Sequence, residues 1–225
     1  MESADRESDH PAATATPVAS LLLGEPLPVE LMNTVWADRE GVHDALAPRD
    51  DGSAGADAWL LAVAPRLSLH PATPPDGRPP ATTGTESFTR LRDALRRLAA
   101  EATADTRPGR TPGGTDLATA VRVLNEACAG ASAWSRLAWA ADGEPHRHRL
   151  AAGDVMTRAL AEIAEEAVLL FAGPDREQLR ACYAPGCVRY FVRDHPRRQW
   201  CSAGCGNRAR VGRHYRRHHG RGGGA

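Results

Sequence analysis

Four of the five cysteines lie close together near the C-terminus, with the spacing Cys182-x4-Cys187-x13-Cys201-x3-Cys205. Two close pairs joined by a short segment are typical of one tetrahedral metal site, because each pair supplies two thiolates from a single turn. Four thiolates leave no coordination position open for water, so the pattern predicts one structural Zn²⁺ ion. Disulfide bonds and a small iron–sulfur cluster are the alternatives, and a reducing compartment disfavours the first.

The residues around the cysteines predict the elements that must position them. Pro185-Gly186 predicts a turn that folds the first two sulfurs towards one point. Alternating side chains over residues 188–192 predict a strand, and residues 197–200 a second strand that returns beside it. Ser202 can cap a helix beginning near Cys205. The expected arrangement resembles a treble clef, with one cysteine pair before a hairpin and the other at a helix start.

The same region is strongly basic. Residues 179–225 hold 11 Arg and one acid, a net charge of +10, whereas residues 1–178 hold 17 Arg and 27 acids, a net charge of −10. Such asymmetry points to a tail that meets a polyanion, although a solvated basic terminus is the simpler alternative. The predicted nucleic-acid contacts are Arg208, Arg210, Arg213, Arg216 and Arg217. Arg208 is also close enough to the metal to brace the site instead.

Three long helices are predicted before the cysteine region. Their apolar stripes run over Phe88–Leu98, Leu117–Cys128 and Met156–Phe171, with Ser87, Thr115 and Asp154 as the respective caps. Arg92, Arg96 and Arg97 are expected to lie away from the apolar face. Shorter helices are predicted over 31–36 and 56–63, and a long Pro/Gly/Thr-rich loop over 71–85.

A β-hairpin is predicted around Asp142-Gly143, which favours a tight turn. His146 and His148 would share one face of its second strand, but no third metal ligand is nearby, so a polar exposed strand is the favoured interpretation. Cys128 lies on an apolar helix face and is predicted to be a small core residue.

The 225 residues therefore predict an α+β protein with four segments. Residues 1–20 form a disordered N-terminal segment, 21–173 a mostly helical domain with a small sheet, 174–219 a zinc finger and 220–225 a flexible tail. No apolar run is long enough to span a membrane, and no secretory signal is visible, so we expect a cytoplasmic protein. Arg without Lys and abundant Ala suggest a GC-rich bacterial genome.

The segment 197–211, which includes Cys205-Gly206-Asn207-Arg208, is similar to the CGNR zinc finger, a family named for that tetrapeptide. The body resembles the ABATE domain that accompanies this finger, through Glu30-Leu31-Met32-Asn33-Thr34, residues 91–95 and Leu124-Asn125. The resemblance covers about residues 20–219. Proteins of this kind are described as stress-induced transcription regulators, which implies zinc and DNA as partners.

Residues and resemblance together predict a DNA-binding transcription regulator. Its N-terminal domain would sense a small-molecule effector, form a homodimer or bind another protein. The alternative is a zinc finger that binds protein or RNA while the N-terminal domain is the functional binding unit. We do not expect an enzyme, because the body lacks a nucleophile elbow, a phosphate-binding loop and a His-Glu-x-x-His motif.

Overall fold

The computed structural model describes residues 18–48, 55–68, 70–71, 84–108 and 114–219. The predicted loop over 71–85 lies almost wholly outside these ranges, as do residues 1–17 and the tail 220–225. A 3₁₀ turn begins at Val18, inside the segment predicted to be disordered. The helices in the described ranges are α1 (Leu27–Met32), α2 (Gly55–Val63), α3 (Thr85–Ala102), α4 (Leu117–Ala129), α5 (Val155–Ala172) and α6 (Ala203–His219).

Short strands complete the α+β architecture. They are β1 (Val35–Ala37), β2 (Val42–Asp44), β3 (His70–Pro71), β4 (Ala133–Ala138), β5 (His146–Ala151), β6 (Leu179–Ala181) and β7 (Tyr190–Val192). β1 pairs with β2, β6 pairs with β7, and β5 lies between β3 and β4. All pairs are antiparallel except β3 with β5. Among the helices of the described ranges, none is long and apolar enough to cross a membrane.

Helix α3 lies at the centre of the body, where it contacts α1, α2, α4 and α5. The predicted apolar stripe of Phe88, Leu91, Leu95 and Leu98 is buried in the main core. The prediction for the arginines was wrong for two of the three, because Arg92 and Arg96 are buried with this face. Arg92 pairs with Asp44 and Asp93. Arg96 donates from both Nη atoms to backbone carbonyls, whereas its buried Nε has no partner among the described residues.

Three helix caps were predicted, and the structure corrects two of them. Asp154 caps α5 as predicted, since its carboxylate accepts from the Thr157 amide at 2.7 Å. The cap of α4 is Asp116 rather than Thr115, because the Asp116 carboxylate accepts both the amide and the hydroxyl of Thr119. α3 begins two residues before the predicted cap Ser87, with Gly84 at the N-cap.

The hairpin around Asp142-Gly143 is confirmed as β4 and β5. By contrast, the helix predicted over 31–36 ends at Met32, and Val35 begins strand β1. Asn33 and Thr34 make the break, since the Thr34 hydroxyl bonds back to the Leu31 carbonyl while the Asn33 side chain is held by another part of the protein.

The finger's strand pairing also differs from the prediction. Strand β7 pairs with β6, which precedes the first cysteine, and residues 197–200 form no strand. Arg198 explains the difference, because its guanidinium turns inward to the carbonyls of Val192 and Cys201 and to Glu25. Leu179, Ala181 and Tyr190 from this pair complete the main core, so the finger is built onto the body.

Candidate metal centre and basic helix

The four predicted ligands Cys182, Cys187, Cys201 and Cys205 come together in one buried cluster, with all four sulfurs within 4.8 Å of one another. The Cys187 and Cys201 sulfurs are 3.8 Å apart, and those of Cys201 and Cys205 are 3.4 Å apart. Four sulfurs placed about 2.3 Å from a tetrahedral zinc would be about 3.8 Å apart. The thiols are free rather than paired as disulfides, so the residues fit one structural Zn²⁺ ion.

The first cysteine pair sits on the connection between β6 and β7. The Cys182 amide donates to the Arg189 carbonyl, and the Cys187 amide donates to the Ala184 carbonyl. Gly186 has φ +71°, a conformation that glycine adopts without steric cost. The predicted Pro185-Gly186 turn therefore brings both sulfurs to one point.

The second pair sits at the start of α6. Ser202 accepts a hydrogen bond from the Cys205 amide at 3.2 Å, which confirms it as the helix cap, although the helix starts at Ala203. The positive end of the helix dipole there stabilises a thiolate. Gly206 is buried under Trp200, where an added Cβ would lie 3.3 Å from the indole Cδ1 atom.

Arg208 braces the metal centre. Its Nη2 donates to the Cys205 sulfur at 2.9 Å and its Nη1 to the Ala37 carbonyl at 3.5 Å. The pKa of the Cys205 thiol lies well below its usual range, because it accepts hydrogen bonds from the neighbouring cysteines, Cys182 first, and from Arg208. The Arg208 guanidinium thus offsets part of the negative charge that four thiolates bring to a divalent ion.

A buried cluster that the sequence patterns did not indicate joins the body to the first cysteine pair. From the segment after α3, Arg107 donates to the carbonyls of Cys182, Cys187 and Arg189 at 2.9–3.3 Å. Its charge is balanced by Asp105, 2.7 Å away, which also accepts from the Tyr190 hydroxyl at 2.7 Å. We name Asp105, Arg107 and Tyr190 the seam triad.

The seam triad titrates in a way that follows from its contacts. Burial opposes ionisation of Asp105, but hydrogen bonds from Arg107 and Tyr190 outweigh it and hold its pKa below the usual range. Burial, followed by the hydrogen bond to Asp105, raises the pKa of Tyr190 to about 12. A charged Asp105 and a neutral Tyr190 are therefore the stable forms near neutral pH.

Three more body residues hold the finger. Asn33 exchanges two hydrogen bonds of 2.9 Å with the backbone of Tyr190. Arg96 donates to the carbonyls of Met32 and Val188, which links α1 to the finger. Buried Glu25 accepts from the Val192 amide at 2.9 Å and pairs with Arg198. Side chains from the start and the middle of the body thus hold the finger.

The predicted nucleic-acid contacts occupy different surroundings. Arg210 and Arg213 are exposed on α6, and Arg210 bonds the neighbouring Asn207 side chain. Arg216 and Arg217 lie within α6, but their side chains are outside the described set. Arg208 is turned towards the metal centre.

The remaining metal-ligand candidates are weaker. Asp38, Glu40 and His43 lie close enough to share an ion, but the two acids are exposed, and the Asp38 carboxylate already accepts from the Glu40 amide and pairs with His43. His148 contacts the ring of His70, but the groups of described residues that could share an ion do not include these histidines or His146. Cys128 is partly buried against the main core, as predicted, and burial raises its pKa.

This geometry defines a helical body that carries a closed four-cysteine zinc finger. Family comparison agrees: residues 178–218 match the CGNR zinc finger, and residues 25–174 match the ABATE domain, described as a putative stress-induced transcription regulator. The second match covers more than half of the chain, so the protein belongs to the ABATE family. No curated protein matches the chain at a significant level.

Proposed function

We propose that this protein is a DNA-binding transcription regulator whose zinc centre fixes the basic helix α6 for contact with the phosphate backbone. The supporting observation is the position of exposed Arg210 and Arg213 on a helix whose first turn contains the metal ligand Cys205. The sequence of α6 contains no acidic residue. Arginine makes strong, bidentate contacts with phosphate and with guanine, so this helix is suited to a duplex.

The rigid attachment of α6 adds to this argument. Because Cys205 and Arg208 tie the first turns of the helix to the metal centre, the conformational entropy lost on binding is smaller than for a free basic tail. Most of these arginines would contact phosphates, which gives affinity with little sequence choice. The proposed role of the finger is binding rather than catalysis, since its metal site is closed.

The test uses the zinc-loaded full chain and a labelled random-sequence duplex over a range of salt concentrations. The affinity falls as salt rises, and each lost phosphate contact should reduce the magnitude of this slope of log affinity against log salt by about 0.9. We expect Arg210→Gln/Arg213→Gln to bind less tightly with a shallower slope. Arg136→Gln/Arg147→Gln is the matched control, because both residues are exposed on the β4–β5 hairpin and the charge change is equal.

Equal duplex affinity of the wild type and the α6 variant would contradict the proposal. Retained duplex affinity with a selective loss of single-stranded RNA binding would favour the alternative, an RNA-interaction module. A parallel titration of both proteins with a labelled single-stranded RNA measures the second outcome.

A cavity in the body supports a ligand-sensing role for the N-terminal domain. It has a volume of about 910 Å³ and lies between α3, α4 and the segment after β2. Leu46, Pro48, Ala94 and Val123 contribute apolar surface. Arg90 and Arg122 on the wall both pair with Glu126, and Asp44, Glu86 and Asp93 add acidic groups to the same lining. The cavity is suited to a largely apolar small molecule.

A thermal-shift screen of small apolar compounds tests this second role. Thr89 lines the cavity from α3, and Thr89→Trp should fill part of its volume. We expect compounds that raise the melting temperature of the wild type but not of this variant. Equal shifts for both proteins would place the binding elsewhere and contradict this assignment.

A further inference from the structure

A second positively charged surface lies on the finger, and none of its lining residues belongs to α6. A cleft of about 590 Å³ separates the last residue of α3 and the two residues after it (102–104) from strands β6 and β7. Its charged lining residues are Arg180, Arg193 and Arg198, and the described lining contains no carboxylate. We name it the seam cleft. The larger cavity in the body differs, because acidic and basic side chains both line it.

Two of these three arginines are held by neutral groups. Arg180 donates from Nη1 to the carbonyls of Glu177 and Leu179, both at 2.7 Å. Arg193 donates from Nε and Nη2 to the side-chain oxygen of Gln178, at 3.3 and 3.2 Å. Neither forms an ion pair with another described residue, whereas Arg198 is balanced by Glu25 and Asp194.

The charge and the hydrogen bonding of these two arginines make the cleft suitable for binding an anion. The hydrogen bonds to neutral acceptors position both guanidinium groups without cancelling their charge. N–H groups also remain available, since only Nη1 of Arg180 and only Nε and Nη2 of Arg193 have acceptors among the described residues. A tetrahedral oxyanion that accepts from two guanidinium groups is a ligand of the matching charge and geometry.

The surroundings of the cleft indicate which anion it takes. Tyr183 lines it, is 53% exposed, and belongs to the turn that carries the first two zinc ligands. On the same turn, Pro185 contacts α6 at Gly212, where an added Cβ would lie 3.4 Å from the proline Cγ. The cleft and the basic helix therefore adjoin one zinc turn. A backbone that carries a phosphate at every nucleotide can occupy both.

We propose that the seam cleft binds a backbone phosphate of the DNA contacted by α6, through Arg180 and Arg193. The proposal rests on the proposed DNA-binding function and extends its contact surface across the zinc turn to the β6–β7 sheet. It adds two residues that the sequence patterns did not indicate.

The test compares variants of the zinc-loaded full chain on a labelled random-sequence duplex. Arg180→Gln/Arg193→Gln keeps side-chain donors for the neutral acceptors but removes both charges. We expect about tenfold weaker binding at low salt and a salt slope lower by about 1, as for one lost phosphate contact. Arg180→Lys/Arg193→Lys should restore most of the affinity, and Arg136→Gln/Arg147→Gln should leave it unchanged.

The outcomes separate this proposal from the function on which it rests. Wild-type affinity in the cleft variant, together with weakened binding by Arg210→Gln/Arg213→Gln, overturns the cleft and leaves the proposed function standing. Unchanged affinity in both variants overturns both. Loss in the cleft variant alone supports the cleft and contradicts the role of α6.

A measurement on the unaltered protein keeps the proposal testable if a variant folds poorly. The side-chain N–H resonances of Arg180 and Arg193 should shift when the duplex is added. Inorganic phosphate serves as the second probe. Shifts with inorganic phosphate but none with duplex would identify the cleft as a site for a free anion and overturn the assignment to DNA. The absence of any shift with either probe would also overturn that assignment.

Discussion

Arg208 is the residue that connects the metal centre to the helix that follows it. It lies one turn after Cys205 and donates to that sulfur, while its other nitrogen reaches the Ala37 carbonyl of the body. Groups that hydrogen-bond to metal ligands fix their orientation and stabilise their charge. In this chain, the last residue of the Cys-Gly-Asn-Arg tetrapeptide has a structural contact of its own.

Replacement of Arg208 should therefore weaken zinc binding. We expect Arg208→Gln to bind Zn²⁺ about tenfold less tightly, the lower end of the range for partners of metal ligands. Competition with a chromophoric chelator at fixed pH measures the affinity. Arg210→Gln is the control because its side chain is exposed and bonds Asn207, not a sulfur. Equal affinities of the two variants would show that the sulfur contact contributes nothing.

Tyr190 gives the protein a specific sensitivity to alkali. Its pKa is raised to about 12, chiefly by burial, from an ordinary value near 10. Between these values the unfolded chain loses the tyrosine proton while the folded chain keeps it, so stability falls as pH rises. The contribution is fully present below about pH 10 and is lost by about pH 12.

The expected loss from Tyr190 is about 2–3 kcal/mol in the free energy of unfolding. Denaturant titrations at a series of pH values measure it. Tyr190→Phe should be less stable near neutral pH, because the hydrogen bond to Asp105 is lost, but its stability should fall less steeply with alkali. Parallel pH profiles for the two proteins would refute this role for Tyr190.

At the scale of elements, the finger is held by the body. Strands β6 and β7 contribute to the main core, and the segment after α3 supplies Arg107 to the carbonyls around the first cysteine pair. Breaking a buried ion pair by removing one partner typically costs about 3–5 kcal/mol, because an uncompensated charge remains. Without Arg107, Asp105 would be such an uncompensated buried charge.

Arg107→Met should therefore destabilise the protein by about 3 kcal/mol. The double variant Arg107→Met/Asp105→Asn removes both charges and should recover part of that stability. Chemical denaturation of the zinc-loaded proteins gives both values. If the double variant were less stable by the sum of the two single effects, the charges would not be coupled.

Sequence patterns correctly predicted features that depend on residues close together in the chain. The metal ligands, the Asp154 cap and the Asp142-Gly143 turn could be predicted in this way, because their interactions join near neighbours. The pairing of β7 with β6 instead of residues 197–200 depended on Arg198 turning towards Glu25, 173 positions earlier in the chain. The seam triad was missed for the same reason, since Arg107 lies in a Pro- and Gly-rich segment that indicates only a helix break.

At the scale of the whole molecule, the −10 and +10 segments meet across a seam of specific contacts. Asn33, Arg107 and Glu25 each bond the backbone of the finger. Zinc removal should consequently affect the body as well as the finger. The first effect should appear in β6, β7 and the residues that grip them, because these are nearest to the lost ion.

Hydrogen exchange can measure how far the effect of zinc removal extends from the finger into the body. In the chelator-treated protein we expect lost protection in β6–β7 and at the start of α6, with reduced protection near Asn33. Helices α4 and α5 should stay protected because they contact each other in the main core. Loss confined to α6 would mean that the finger and body are not coupled through the strands.

Duplex binding by the full chain with and without zinc tests most directly whether the metal supports a DNA-binding helix. We expect tight, strongly salt-dependent binding by the zinc-loaded protein, because fixed arginines on α6 would contact the phosphates. A chelator should weaken that binding markedly, and added Zn²⁺ should restore it. Equal affinity of the zinc-loaded and zinc-free proteins, or no duplex binding at low salt by either, would contradict a zinc-supported DNA-binding helix.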